Sequence, residues 1–524
     1  MAVDQESTDR KTTKNSLLVM LCTLTSRMLG ILKARVIAVV FGATGVADVI
    51  NFTFNIPNNF RKLFAEGALS NAFIPVFAAS IAQEQGRVDS SSQLLKRMQG
   101  FQIVVSIPLI VFTWLFRFDI IRFLSDFKDT GQISLSANLL VYFMVFLFSI
   151  SVSTLYGSVL QCHGSFFIAA AAPLLFSFSV IFSVLFLSKS LGAYSMAVGT
   201  VFGGLLQAFL TFLGLRKFGY GFEVSFDFSY QPFKQVMHSW FSATMAALIL
   251  IFGQQVSFYF ASTLSEGSVT AFSNSIILWQ APYGIFFSAI TTVFFPSMVV
   301  AHQLKDHDRL GKLISQGLVY LAVFLLPSAI LLIFLRRETI AVLLQSGRFT
   351  LSDTLNTAEV LRWFLFGMVF AAWYFFLQRY YYAVGRFNVI LMVSLMITGV
   401  DIFCTWFFIK NNLGIASLSL ANSISVLLGV LILYCHALLP LKGFLHLRLF
   451  KALGKIIIAN IPLVLMLSGY SRFQLEWWTS GSSWRNLFLL VGLCCAAVVI
   501  TLGSYLLLKV EFLNLIFRKK TIEK

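Results

Sequence analysis

The chain has 524 residues, 58% of them hydrophobic and only 12% charged, with 57 phenylalanines and a mean hydropathy of +0.83. So apolar a composition predicts an all-α polytopic membrane protein and excludes a soluble enzyme or a soluble nucleic-acid binder. The net charge of +17 then reads as membrane topology and attraction to anionic inner-leaflet lipids, with no nucleic acid among the expected partners.

Residues 1–15 are polar and read as a cytoplasmic N-terminal tail. The apolar run that follows is too long for a signal peptide and has no small-residue cleavage site, so it is a span. Windows of about 20 apolar residues, each able to cross about 30 Å of hydrocarbon, then recur along the chain. They predict about fourteen spans, near 16–41, 45–82, 97–116, 134–160, 167–188, 192–215, 235–262, 268–301, 312–335, 357–382, 388–409, 413–440, 452–470 and 486–508. With the N-terminus inside, Arg10, Lys11, Arg97, Arg216, Lys305, Lys451 and the basic tail 509–524 fall on one side, so both termini are expected in the cytoplasm.

The first two spans hold the charges that composition does not explain: Arg27, Lys33, Arg35, Asp48, Arg61, Lys62 and Glu66. An ionised side chain near the bilayer centre costs roughly 2.5–3.5 kcal/mol on insertion scales, so each needs a partner or water. Lys62 and Glu66 are four apart and suit a local ion pair. Arg35 lies near a span end and suits snorkelling. Asp48 follows the turn FGATG, where it suits a helix cap or an acidic partner for Arg61. Arg27 and Arg61 have no acid at helical spacing, and by helix rise they lie roughly 16 Å and 24 Å into their spans, at mid-depth. Pro57 just before Arg61, and Pro75 beyond it, predict kinks. Broken membrane helices line cavities, so these cations are expected to face a hydrated cavity and to await an anion, with diphosphate well matched to the guanidinium fork.

The chain also repeats. Phe73 and Pro75 match Phe294 and Pro296, Gly164 and Phe166 match Gly385 and Phe387, and Lys189 matches Lys410, all 221 positions apart. Leu191-Gly192 matches Leu413-Gly414 after a slip of one. A period of six spans keeps both copies in one orientation, which predicts two six-helix lobes, 16–217 and 235–440, around a central cavity, plus two C-terminal helices in 452–508. Such a plan suits a transporter. No GxxxxGK[ST], HExxH or GxSxG is present, and six cysteines without CxxC spacing predict neither disulfide nor zinc site, so no enzyme, metal or cofactor is expected.

SRMLGILKARVIAVVFGATGVAD followed by IPNNFRKLFAEGALSNAFIPVF, within residues 26–77, resembles the N-terminal signature of the MurJ (MviN) family, the lipid II flippases of bacterial peptidoglycan synthesis. The resemblance implies the multidrug/oligosaccharidyl-lipid/polysaccharide exporter (MOP) fold in a bacterial inner membrane, alternating access, and a cationic cavity for a diphosphate and its sugar-peptide headgroup. It implies a tail groove on the last two helices and carries over Arg27, Asp48, Arg61 and Glu66 as cavity residues, with Lys33 a further substrate-binding candidate. Lys33 stands where the family pattern has arginine, Ala34 where it has an acid, and Ile277 where it has a functional arginine. Two rival readings follow: export of another polyprenyl-diphosphate glycan, or a non-transporting scaffold for cell-wall synthesis proteins.

Overall fold

Lipid offers the backbone no hydrogen-bond partner, so an apolar chain in a bilayer satisfies its N–H and C=O groups within helices. The computed structural model describes residues 2–64, 68–83, 89–438, 446–472 and 484–510, and among these all regular structure is helical. Two compact units emerge, Met1–Thr270 and Ala271–Lys524. The first holds α1 (Ala2–Phe41), α2 (Gly45–Phe64), α3 (Ala68–Gln83), α4 (Asp89–Leu124), α5 (Thr130–Cys162), α6 (Phe166–Leu191), α7 (Tyr194–Arg216) and α8 (Gln231–Ser262). Helix α9 (Ser268–Gln303) starts in the first unit and runs into the second. The second continues with α10 (His307–Phe334), α11 (Arg336–Leu343), α12 (Leu351–Ala383), α13 (Phe387–Lys410), α14 (Ala416–Leu433), α15 (His446–Ala459), α16 (Ile461–Arg472) and α17 (Trp484–Leu507).

Eleven helical stretches among the described residues are long and apolar enough to cross a membrane, and the other expected spans fall on α1, α2–α3 and α8. Three details differ from the sequence reading. Helix α1 starts at Ala2, inside the expected polar tail. The short helix α11 occupies a stretch read as loop. The span expected at 452–470 starts at His446 and breaks at Asn460, before Pro462, which has no N–H to continue the ladder. Asn460 Nδ2 donates to Ile456 O (2.8 Å) and to the Tyr505 hydroxyl (3.1 Å), which donates to Val323 O (2.9 Å). The break is thereby tied to α17 and α10.

The repeat is visible in the element boundaries. Helices α5 and α12 start and end 221 residues apart, at 130 and 351 and at 162 and 383, and α6 and α13 start at 166 and 387. Their caps follow the same offset: Asp129 accepts from Gly131 and Gln132 at the start of α5, and Thr350 forms a capping box with Asp353 at the start of α12. Gly164 and Gly385 both turn at φ +72°, a region open to glycine, which is why the HGSF and VGRF motifs keep that residue. Within the first unit, Gly199 and Gly203 let α7 press against α6, where a Cβ would lie 2.8 Å from Val180 Cα and 3.0 Å from Phe176 Cα. Ser179 and Ser183 donate across this contact to Gly199 O (2.8 Å) and Ser195 O (2.6 Å).

Helix α4 differs from its neighbours. Most of its apolar stretch is uncovered, with Ile107, Val111, Trp114 and Leu115 exposed, and its backbone leaves helical geometry at Phe116 (φ −105°, ψ 16°). Its N-terminal half is held instead by a strap, residues 220–230, which joins α7 to α8. Gln99 donates to Gly221 O (3.3 Å) and accepts from Glu223 N (3.1 Å), and Ser225 N donates to Lys96 O (3.0 Å). Arg97, largely buried, donates to Asp227 O and Oδ2 (both 2.7 Å) and stacks over the Tyr230 ring at 4.6 Å. The strap backbone comes this close because residue 100 is glycine; a Cβ there would sit 2.2 Å from Ser225 O. Gly100→Ala must push the strap away at about 1–3 kcal/mol. Amide exchange at Ser225 is therefore expected to rise about tenfold or more, while exchange in the α6–α7 pair stays unchanged. Equal protection of Ser225 in the variant would show that the approach is not tight.

The strap also carries a pH dependence. The Asp227 carboxyl is pushed down to about 2, first by the hydrogen bond from the Ser229 hydroxyl and then by Arg97. A depressed folded value means that its contribution is complete at neutral pH and is lost as pH falls from the ordinary carboxylate range, about 4, toward 2. Because the carboxylate is exposed, the effect is small. Pepsin cleavage within the strap, measured relative to Asp227→Asn, should rise across that window; a flat ratio would remove Asp227 as the cause.

Candidate functional site

Glycine and acid at matched positions close the N-terminal ends of α2 and α9. Asp48, in the first turn of α2 and 4% exposed, accepts from Gly267 N (2.7 Å), Thr270 N (2.8 Å) and the Thr270 hydroxyl (2.7 Å). Glu266, just before α9, accepts in return from Gly45 N at the start of α2, across 221 positions. Each acid therefore caps the other helix, where free N–H groups and the positive end of the macrodipole favour a carboxylate. Asn51 adds a bond to the Thr270 hydroxyl (3.2 Å), and Gly267, at φ +88°, clears the chain, since a Cβ there would meet Ala43 O at 2.7 Å. The sequence allowed Asp48 a capping role; the structure assigns that role to α9 rather than to its own helix.

Further along α2 the side chains divide into two adjacent stripes. Phe54, Asn58 and Arg61 form one, at the i, i+4, i+7 spacing of a helix face. Lys33 of α1 faces it, with its ammonium 5.6 Å from the Phe54 ring and 4.9 Å from that of Phe176 on α6. Arg61 donates through Nε to Asn58 Oδ1 (3.1 Å), and its charge reaches Lys33. Ring faces and an amide oxygen thus supply partial negative charge to the two cations.

The second stripe is Asn55, Asn59 and Lys62, facing α8. Lys62 Nζ donates to Asn59 Oδ1 (2.9 Å) and Gln254 Oε1 (2.8 Å), and Asn55 Nδ2 approaches Gln255 Oε1 (3.5 Å). Amides hold Lys62 from this side; the ion pair expected with Glu66 falls on a residue outside the described ones. Arg27 is half-buried on α1. Pro57 and Pro75 lie inside α2 and α3, which both continue past them.

Several residues escaped the sequence reading, Asn55 and Asn59 among them. Glu266, Gln254 and Gln255 sit at the end of α8 and the turn after it, and the offset of 221 from Gly45 was a usable pointer to Glu266. Asp401 corrects the statement that intramembrane charge gathers in the first two spans: it is buried within α13, hydrogen-bonds Asn422, and leaves Oδ1 without a partner among the described residues. Among them no group of three metal-binding side chains occurs. In the second unit Arg362 lies over Trp363 (5.0 Å) and 3.8 Å from Glu359, and Arg379 lies over Phe295 (5.8 Å).

Comparison with known proteins bears on this arrangement. The family model described as lipid II flippase MurJ matches residues 37–489. The probable lipid II flippase MurJ of Borreliella burgdorferi is 31% identical over 505 residues, covering 96% of this chain and 97% of that protein. Among solved structures, a lipid II flippase MurJ in an inward closed conformation superposes with TM-score 0.74 at 22% identity, covering 96% of this chain and 99% of that one. An inward-facing multidrug resistance MATE family transporter of the MOP superfamily gives 0.63 at 15% identity, over 82% and 96%. The likeness to both structures is one of fold.

Proposed function

The chain belongs to the lipid II flippase MurJ family, and on that premise we propose that it carries lipid II across a bacterial inner membrane by alternating access. The observation that supports this most is Lys33 against two aromatic faces and within electrostatic reach of Arg61, a cationic site suited to a diphosphate. Arg27 joins them from α1. Lobes 16–217 and 235–440 move about the site, both termini lie in the cytoplasm, and the hairpin 452–508 guides the polyprenyl tail. Basic loops and the 509–524 tail bind anionic inner-leaflet lipid, and cell-wall synthesis proteins receive the product. The test is rescue of a bacterium depleted of its own lipid II flippase. Growth with this chain is expected; lysis despite parent protein in the membrane at normal levels would overturn the reading.

A further inference from the structure

The α2–α8 seam is unusual for a contact within a membrane. Four carboxamides, Asn55, Asn59, Gln254 and Gln255, meet there, where apolar side chains would pack without polar cost. Lys62 fixes how two of them point, because its ammonium can only donate: the oxygens of Asn59 and Gln254 turn to it, and their N–H groups turn away. Among the described residues, Asn59 Nδ2 and Gln255 Nε2 are buried and have no acceptor, and Asn59 is only 2% exposed. Each unspent donor costs about 1–3 kcal/mol. Both are open to a ligand's acceptor.

We propose that this seam is the part of the site that recognises sugar, and that Asn59, Gln254 and Gln255 select a glycan-bearing lipid over bare polyprenyl diphosphate. The inference rests on the transport reading above. Carboxamides are neutral and offer donor and acceptor side by side, which matches hydroxyl and acetamido groups and discriminates little in favour of phosphate. Placement supports the pairing. The amide stripe runs along α2 beside the Phe54–Asn58–Arg61 stripe, one residue out of register, and the first sugar of such a lipid is bonded directly to its diphosphate. The sugar enters by parting the Asn55–Gln255 contact, which at 3.5 Å is the longest bond in the seam, and takes up the two idle donors.

The experiment compares the affinities of lipid II and undecaprenyl diphosphate for the full chain in lipid nanodiscs, in the parent and in Asn59→Leu, Gln254→Leu and Gln255→Leu. Lipid II binding should weaken tenfold or more while undecaprenyl diphosphate binding stays within twofold. Gln255→Met, at a half-buried position, serves where a leucine variant fails to fold. Parallel weakening of both lipids would reduce the seam to helix glue, and unchanged affinities would remove it from the site; either result overturns the inference and leaves the transport reading standing. A parent that binds neither lipid would overturn both.

Discussion

Arg61→Glu abolishes rescue of the flippase-depleted bacterium at membrane levels matched to the parent. The substitution does more than delete a cation. It places a carboxylate where the charge of Arg61 now reaches Lys33, and opposite charges in a medium of low dielectric attract strongly. The new pair satisfies itself, and the proposed diphosphate site loses both cations at once. A loss of 100-fold or more in transport is expected, against a partial loss for Arg61→Lys, which keeps the charge and loses the two-pronged donor. Growth of the Arg61→Glu strain at the parental rate would end the role of this residue. Ile277→Arg is the companion test in the second lobe: if the first-lobe cations suffice, it leaves the rescue by the parent unchanged.

Asp48→Ala lowers thermal stability in detergent far more than Glu266→Ala. Removing the Asp48 carboxylate strands two backbone N–H groups and the Thr270 hydroxyl in a buried place, at a cost of about 3 kcal/mol. Glu266 is exposed and gives one bond to Gly45 N, so about 1 kcal/mol is expected for its loss. The two caps close one junction, so the double variant should lose less than the two single losses added together. An unchanged unfolding midpoint for Asp48→Ala would show that the cap contributes nothing to stability.

Much of this was legible because membrane chains write their fold in hydropathy. Windows of about 20 apolar residues located the membrane-crossing helices, though not the polar extensions of α1 and α4, since lipid leaves the backbone no alternative. The offset of 221 was legible because turns need glycine at positive φ, as at Gly164 and Gly385, in both copies. Lys33 and Arg61 stood out because charge is expensive in lipid. What the sequence could not show was partnership over long separations. The bond from Lys62 to Gln254 was out of reach because local spacing is all that a sequence displays, and Gln254 lies 192 residues away. Asparagine and glutamine carry no charge and so raise no alarm, and the amide seam passed unnoticed for that reason. Asp401 was overlooked because a single acid hardly dents the mean hydropathy of α13.

Helix α4 leaves one further consequence. From Ile107 to the bend at Phe116 it shows most of its large side chains to the outside, so hydrocarbon chains do there what a neighbouring helix does elsewhere. At 36 residues the helix is also longer than the hydrocarbon is thick. Lipid is then a component of the tertiary structure, and its acyl length enters the conformational energy at fractions of a kcal/mol per Å of mismatch. A bacterium that changes its fatty acids with temperature also retunes this helix, with no change in the protein.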